Sequence, residues 1–191
     1  MCNYQKYKGG ISLATSCKNR GMDFENMFSS KCKLLREDEN AKILINKVPT
    51  EMKLIRGAGG RIVKAFAVSK DETEFVDYCG IYYGKPICFE LKSTENKTSF
   101  PFGNIKESQI SFLDKWTEYG GIGYYIIRFA YHKRVFMISA LDMHHIINTI
   151  GRKSVKYEQC LEDSRFIELN YDKLNFEDYI SNEMQGELVW H

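Results

Sequence analysis

The sequence predicts an α/β fold, with α+β as the neighbouring alternative, in which helices flank a mixed central sheet. Three observations carry that prediction. Apolar residues recur at near-helical spacing at both ends of the chain. Between them lie short runs rich in β-branched and aromatic residues, separated by turn formers. One of these runs, GIGYYIIRFAY (121–131), is apolar almost throughout, as a strand buried on both faces must be. At 191 residues the chain is long enough for one compact domain with a real core and short for two.

Residues 1–20 hold Lys6, Lys8, Lys18 and Arg20, small polar residues and no acid, which predicts a flexible basic arm ahead of one domain over 21–191. From Gly21, the residues Met22, Phe24, Met27, Phe28, Leu34 and Leu35 fall on one helical face with acids early and basic residues late, so a helix over 21–37 follows. After EDEN, ILINKV (43–48) is a short strand. In KLIRGAGGRIVKAF (53–66) two β-rich runs flank Gly57, Ala58, Gly59 and Gly60, the signature of a hairpin, here spanning about 49–70. DYCGIYY (77–83) and PICFELK (86–92) are strands joined by a turn at Gly84 and Lys85. SFPFGNI (99–105) leads into a helix over about 106–119. The apolar strand, a turn at HKR (132–134), the returning strand RVFMISA (134–140) and a short amphipathic helix LDMHHIINTIG (141–151) complete the pattern.

Composition narrows the function. With 43% hydrophobic and 27% charged residues the chain reads as an ordinary globular protein. No apolar run approaches the roughly 20 residues of a membrane helix, and the N-terminus lacks the apolar stretch of a secretion signal. A cytoplasmic, reducing environment is expected, with Cys2, Cys17, Cys32, Cys79, Cys88 and Cys160 as free thiols. The histidine pair His144 and His145 has no zinc-ligand spacing and is read as part of a helix surface. The net charge of +2 hides an asymmetry: residues 161–191 carry eight acids against two bases, leaving residues 1–160 with a surplus of +8. Such a body suits a polyanion. The glycines at 57–60 fit neither GxGxxG nor GxxxxGK[ST], which removes a nucleotide-binding loop.

Chemistry concentrates in DYCGIYYGKPICFELKS (77–93). Side chains at i and i+2 of a strand share a face, so Glu90 and Lys92 point together while Ile87, Phe89 and Leu91 point to the core. Asp77 starts the neighbouring strand, where pairing can bring its carboxylate beside that of Glu90. Two such carboxylates repel unless a cation lies between them. Oxygen ligands select Mg²⁺ or Mn²⁺, which act as Lewis acids on phosphoryl oxygens and lower the pKa of bound water. Lys92 would orient or deprotonate that water, or stabilise charge on phosphorus. Alternation on a two-faced strand accounts for Glu90 and Lys92 equally well.

More specific is FELKSTENKTSFPFGNI (89–105), which resembles a segment of the RecU-type Holliday junction resolvases, members of the PD-(D/E)xK nuclease superfamily. NRGMDFE (19–25), DYCG (77–80), GGIGYYIIRF (120–129) and GRKSVKYE (151–158) resemble further family segments, in the family's order. The resemblance implies a restriction-endonuclease-like core with a protruding β-hairpin stalk that enters the junction. It implies Asp77, Glu90, Lys92, Glu25 and Gln109 as catalytic residues, with Asp77, Glu90 and the intervening Leu91 at a Mg²⁺ or Mn²⁺ ion. The DNA contacts expected with it fall on Arg20, Lys53, Arg56, Arg61, Lys64, Lys97, Thr98 and Ser99.

The implied activity is symmetric nicking of four-way DNA junctions in recombination and repair by a homodimer, whose two-fold symmetry matches two opposed strands. Family members also modulate the RecA recombinase. The alternatives are a nuclease for duplex or flapped DNA and a non-cleaving protein that binds junctions or regulates the recombinase. The sequence departs from the family pattern at Phe75 and Val76, where threonines are common, and at Lys106 and Ser108, where histidines are common.

Overall fold

Register and alternation decide what reaches the site, and the computed structural model describes both for residues 17–49, 52–67 and 75–180. Helix α1 (Cys17–Glu37) leads into β1 (Ile43–Lys47), followed by a hairpin of β2 (Met52–Arg56) and β3 (Ile62–Ala67). Next come β4 (Tyr78–Tyr82), β5 (Lys85–Thr94), the short β6 (Ser99–Pro101) and α2 (Glu107–Glu118). β7 (Ile122–Phe129), β8 (Arg134–Ser139), α3 (Ala140–Thr149), β9 (Ser154–Lys156), α4 (Tyr157–Glu162) and β10 (Ile167–Leu169) complete the elements. Helix α1 starts four residues earlier than expected and takes in residues 17–20. Residues 1–16 of the expected arm, residues 50–51 and 68–70 of the expected stalk span, and residues 71–74 and 181–191 of the expected domain lie outside the described residues.

Six strands form one mixed sheet in the order β1, β4, β5, β7, β8, β10. β5 and β7 pair in parallel at its centre, and the other four pairings are antiparallel. A parallel pair needs a crossover connection, and the segment carrying β6 and α2 supplies it. The β4–β5 hairpin turns at Tyr83 and Gly84, both at positive φ (47° and 82°), as the tight loop that matches strand twist requires. The turn therefore stands one residue earlier than the sequence suggested, and Lys85 opens β5. At the far end β7 stops at Phe129, not Tyr131: the Ala130 N–H makes the last bond to β5, at the Thr94 carbonyl (2.9 Å), and residues 130–133 then form a turn closed by the Lys133 N–H on the Ala130 carbonyl (3.3 Å).

Alternation along the strands divides the core into two layers. Ile87 and Phe89 of β5, with Tyr124 and Ile126 of β7, face Phe24, Phe28, Cys32 and Leu35 of α1. Phe28 is the hub of that layer, edge-on to Tyr78 (4.7 Å between centroids) and stacked on Phe176 (5.1 Å). On the opposite face Cys88, Tyr125, Ile127 and Phe129 meet Leu113 of α2 and Met143 and Ile146 of α3. Each fully buried side chain of this size contributes about 1.5–3 kcal/mol relative to exposure. Cys32, Cys79, Cys88 and Cys160 are free thiols, all but Cys79 buried. Among the described residues no helix is long and apolar enough to cross a membrane.

Candidate active site

Glu90 and Lys92 follow Cys88 on the face of β5 that looks toward α2, as period-two alternation dictates. Tyr78 pairs with Phe89, so continuing the antiparallel register by one residue sets Asp77 across from Glu90 on the same face. The Asp77 Oδ2 atom accepts a hydrogen bond from the Leu91 N–H (2.9 Å), and the Asp77 carbonyl accepts from the Val48 N–H (2.8 Å). Asp77 is thereby pinned from both neighbouring strands. The Leu91 side chain packs toward α1, which leaves only its backbone at the site.

Glu90 is 2% exposed, and a charge this deep must be compensated. Its Oε1 accepts from the Lys92 ammonium (2.9 Å) and from the Gln109 amide Nε2 (2.6 Å). The Gln109 Oε1 accepts from Lys92 Nζ (2.8 Å) and from the Lys106 N–H at the start of α2 (3.2 Å). Carboxylate, ammonium and amide close a triangle whose third corner is fixed to a helix N-terminus. Gln109 stands at the third position of α2, where its oxygen satisfies an otherwise orphaned backbone donor.

The helix comes this close because Gly123 of β7 has no side chain. A Cβ there would lie 2.7 Å from Leu113 Cδ2 and 3.5 Å from Cys88 Sγ.

A second line of side chains stands behind Glu90. Tyr125 pairs in parallel register with Glu90 and is fully buried. His144 donates from Nδ1 to Asp114 Oδ1 of α2 (2.6 Å), which leaves Nε2 to accept the Tyr125 hydroxyl proton (2.9 Å). Burial, then the charges of Glu90 and Asp114, push the Tyr125 phenol above its ordinary value. The reading of His144 as helix surface is therefore corrected: it is buried, and only His145 is exposed. The signal was present, since His144 stands four residues after Ala140 and next to Met143, on the apolar stripe of α3.

Glu25, on α1, has partners of its own. Its carboxylate pairs with Lys47 of β1 (2.5 Å), and its carbonyl accepts from the Tyr78 hydroxyl (3.2 Å), which also lies 2.6 Å from the Ser29 hydroxyl. Burial raises the Tyr78 phenol to about 12, the Ser29 contact opposing and the charges of Glu25 and Asp77 adding to the shift. Tyr78 is thus the link between Glu25 on α1 and Asp77 beside it.

The expected DNA contacts spread over three places. Arg56, Arg61 and Lys64 are exposed on the β2–β3 hairpin, Arg56 donating to the Gly60 carbonyl (3.0 Å). Lys97 and Thr98 lie exposed before β6, and Ser99 opens that strand. Arg20 is on α1 and Lys53 on β2, with side chains outside what is described.

The donor set suits a hard divalent cation. Asp77 and Glu90 offer two carboxylates from adjacent strands, and Mg²⁺ takes one or two together with waters and phosphate oxygens. Among the described residues no group of three or more His, Cys, Asp or Glu gathers at one point.

The model of the family described as RecU, recombination protein U, matches residues 19–182, a span that includes every residue of this cluster. The chain belongs to the RecU family. A protein of Oceanobacillus iheyensis named Holliday junction resolvase RecU is 33% identical over 163 residues, covering 81% of each chain. A Geobacillus protein of the same name is 32% identical over 196 residues, covering 92% of this chain and 94% of its own. One from Bacillus thuringiensis is 31% identical over 163 residues, covering 80% and 78%. Against this RecU background, Tyr125, His144 and Asp114 are the side chains the sequence reading overlooked; their partners are 19 and 30 residues apart, beyond any local pattern.

Proposed function

We propose that this chain is a Holliday junction resolvase, a metal-dependent, structure-selective endonuclease that makes symmetric nicks in four-way DNA junctions during homologous recombination and repair. The observation that carries the reading is the Glu90–Lys92–Gln109 triangle opposite Asp77, in a chain whose RecU relatives bear that name.

Asp77 and Glu90 would hold Mg²⁺ or Mn²⁺, which when bound supplies Lewis-acid activation of the phosphoryl oxygen and of water. The protein residues do the rest. Lys92, held by Glu90 and Gln109, presents an ammonium on the face where a phosphodiester would lie, positioned to orient the attacking water or to balance charge developing on phosphorus. Gln109 keeps Lys92 and Glu90 in fixed relation, so that little reorganisation is needed when substrate arrives. Glu25, through Tyr78, shapes the approach beside Asp77.

The finer features belong to the same reading: a restriction-endonuclease-like core, the β2–β3 hairpin as a stalk carrying Lys53, Arg56, Arg61 and Lys64 into the junction centre, and a homodimer placing two sites on opposed strands. Action in the cytoplasm, a single nuclease domain and contact with the RecA recombinase complete it.

Asp77→Asn tests the catalytic assignment. Cleavage of a synthetic junction is expected to disappear while junction affinity, read by anisotropy, persists. Surviving cleavage would remove Asp77 from the site, and full affinity with no cleavage by the unaltered protein would favour the non-cleaving alternative.

A further inference from the structure

Beyond the cluster around Glu90, a second surface on the same side of the sheet is organised to meet a ligand. In the turn between β7 and β8, Tyr131 is 58% exposed yet held from several directions. The Lys97 ammonium lies over its ring at 4.2 Å from the centroid. His132 meets the Tyr131 ring edge-on (5.2 Å) and stacks face to face on Tyr157 at 3.8 Å with planes 5° apart. His132 Nε2 donates to the Lys97 carbonyl (2.6 Å), and the Tyr157 N–H donates to the Thr98 carbonyl (2.9 Å). Tyr157 in turn packs edge-on against the buried Phe129 (5.1 Å). Aromatic rings therefore run in an unbroken series from the core to solvent, ending in an exposed tyrosine whose position the core fixes.

Further cations lie on the segments that adjoin this tip. The β6–β9 pairing sets Lys156 opposite Ser99, and Lys153 and Lys133 are exposed in the neighbouring turns. Glu95 and Glu158 are the exposed acids nearest in sequence to these segments. The platform adjoins the candidate active site: Lys92 and Thr94 are two residues apart on β5, and the Thr94 carbonyl accepts from Ala130, the residue before Tyr131. At about 3.3 Å per residue the separation is on the order of 10 Å, about three nucleotide steps of duplex.

We propose that Tyr131 is a stacking platform for an unpaired base of the DNA strand passing the active site, with Lys97 and Lys156 taking the flanking phosphates. The inference rests on the resolvase reading and names what holds the strand beside the scissile bond. A four-way junction presents bases at its crossover that are easily unstacked, and a rigid aromatic accepts any of them at low ordering cost. Lys97, displaced from the ring by the incoming base, would swing on its flexible stem to an adjoining phosphate.

The test measures binding in EDTA of a labelled oligothymidylate of about 12 nucleotides. Tyr131→Ala is expected to lose on the order of tenfold in affinity with its salt slope unchanged, and Tyr131→Phe to bind as the unaltered protein. Lys156→Gln is expected to lower the salt slope by about 0.7. Equal binding by Tyr131→Ala, equal loss by Tyr131→Phe, or no binding of the strand by the unaltered protein would overturn the proposal. Junction cleavage is read in parallel with Mg²⁺. Cleavage by the unaltered protein with no Tyr131→Ala defect in strand binding defeats the platform alone, whereas a Tyr131→Ala binding defect with no junction cleavage defeats the resolvase reading alone.

Discussion

At the scale of single residues, Gln109 has the most to do for its size. One amide accepts from Lys92 and from the Lys106 backbone and donates to Glu90, so its orientation is fixed by chemistry and not by packing alone. Gln109→Ala is expected to slow single-turnover junction cleavage by roughly 10- to 100-fold, as loss of an orienting partner typically does, while junction affinity stays within twofold. A rate unchanged by that substitution would mean that Lys92 needs no holder. Tyr125→Phe removes the donor to His144 Nε2 in a buried setting and is expected to cost about 1–3 kcal/mol in urea unfolding. That Glu90 and Lys92 share a face was legible in the sequence, because a strand's period of two dictates it, and hairpin pairing brought in Asp77; reading the three as a site took the family resemblance. The Tyr125–His144–Asp114 line was not, because it joins three elements whose approach no local pattern encodes.

At the scale of elements, the site depends on how closely α2 lies on β7. Gly123→Ala places a methyl against Leu113 and Cys88, an overpacking expected to cost about 1–3 kcal/mol and to slow cleavage by displacing Gln109. Lower stability by denaturant titration together with a normal cleavage rate would separate the two effects and deny the coupling. The β2–β3 hairpin makes a different prediction. Arg56→Ala combined with Arg61→Ala removes two exposed cations and is expected to flatten the salt dependence of junction binding by about two units of slope; an unchanged slope would keep the hairpin off the DNA. The longer strands and helices were readable from periodicity, whereas β6, β9, α4 and β10, of three to six residues, are too short to show a period and were not foreseen; the misplaced ends have local causes. β7 stops two residues early because a tight turn closes at once, the Lys133 N–H donating to the Ala130 carbonyl with Lys133 at positive φ, and the β4–β5 turn shifts because Tyr83 adopts positive φ.

At the scale of the whole molecule, burial governs how stability responds to pH. It raises the thiols of Cys32 and Cys160 to about 12 and of Cys79 to about 11, and the Tyr78 phenol to about 12. Each folded value lies above its unfolded one, so the stability held below the unfolded values is lost as pH rises through the folded ones, because the unfolded chain releases these protons first. Urea midpoints are expected to fall between pH 8 and pH 11; a constant midpoint would mean that these thiols and the phenol are hydrated. The mixed order of the sheet was foreseeable only as a class, since the pairing of β1 with β4 and of β10 with β8 is non-local. The central claim, that these elements together make a junction-selective nuclease, is tested most directly by incubating the protein with a labelled four-way junction and a linear duplex of matched sequence, in Mg²⁺, Mn²⁺ or EDTA. Paired, symmetric nicks on the junction alone, absent in EDTA, are the predicted result; equal cutting of the duplex, or junction binding without cleavage under either metal, would contradict it.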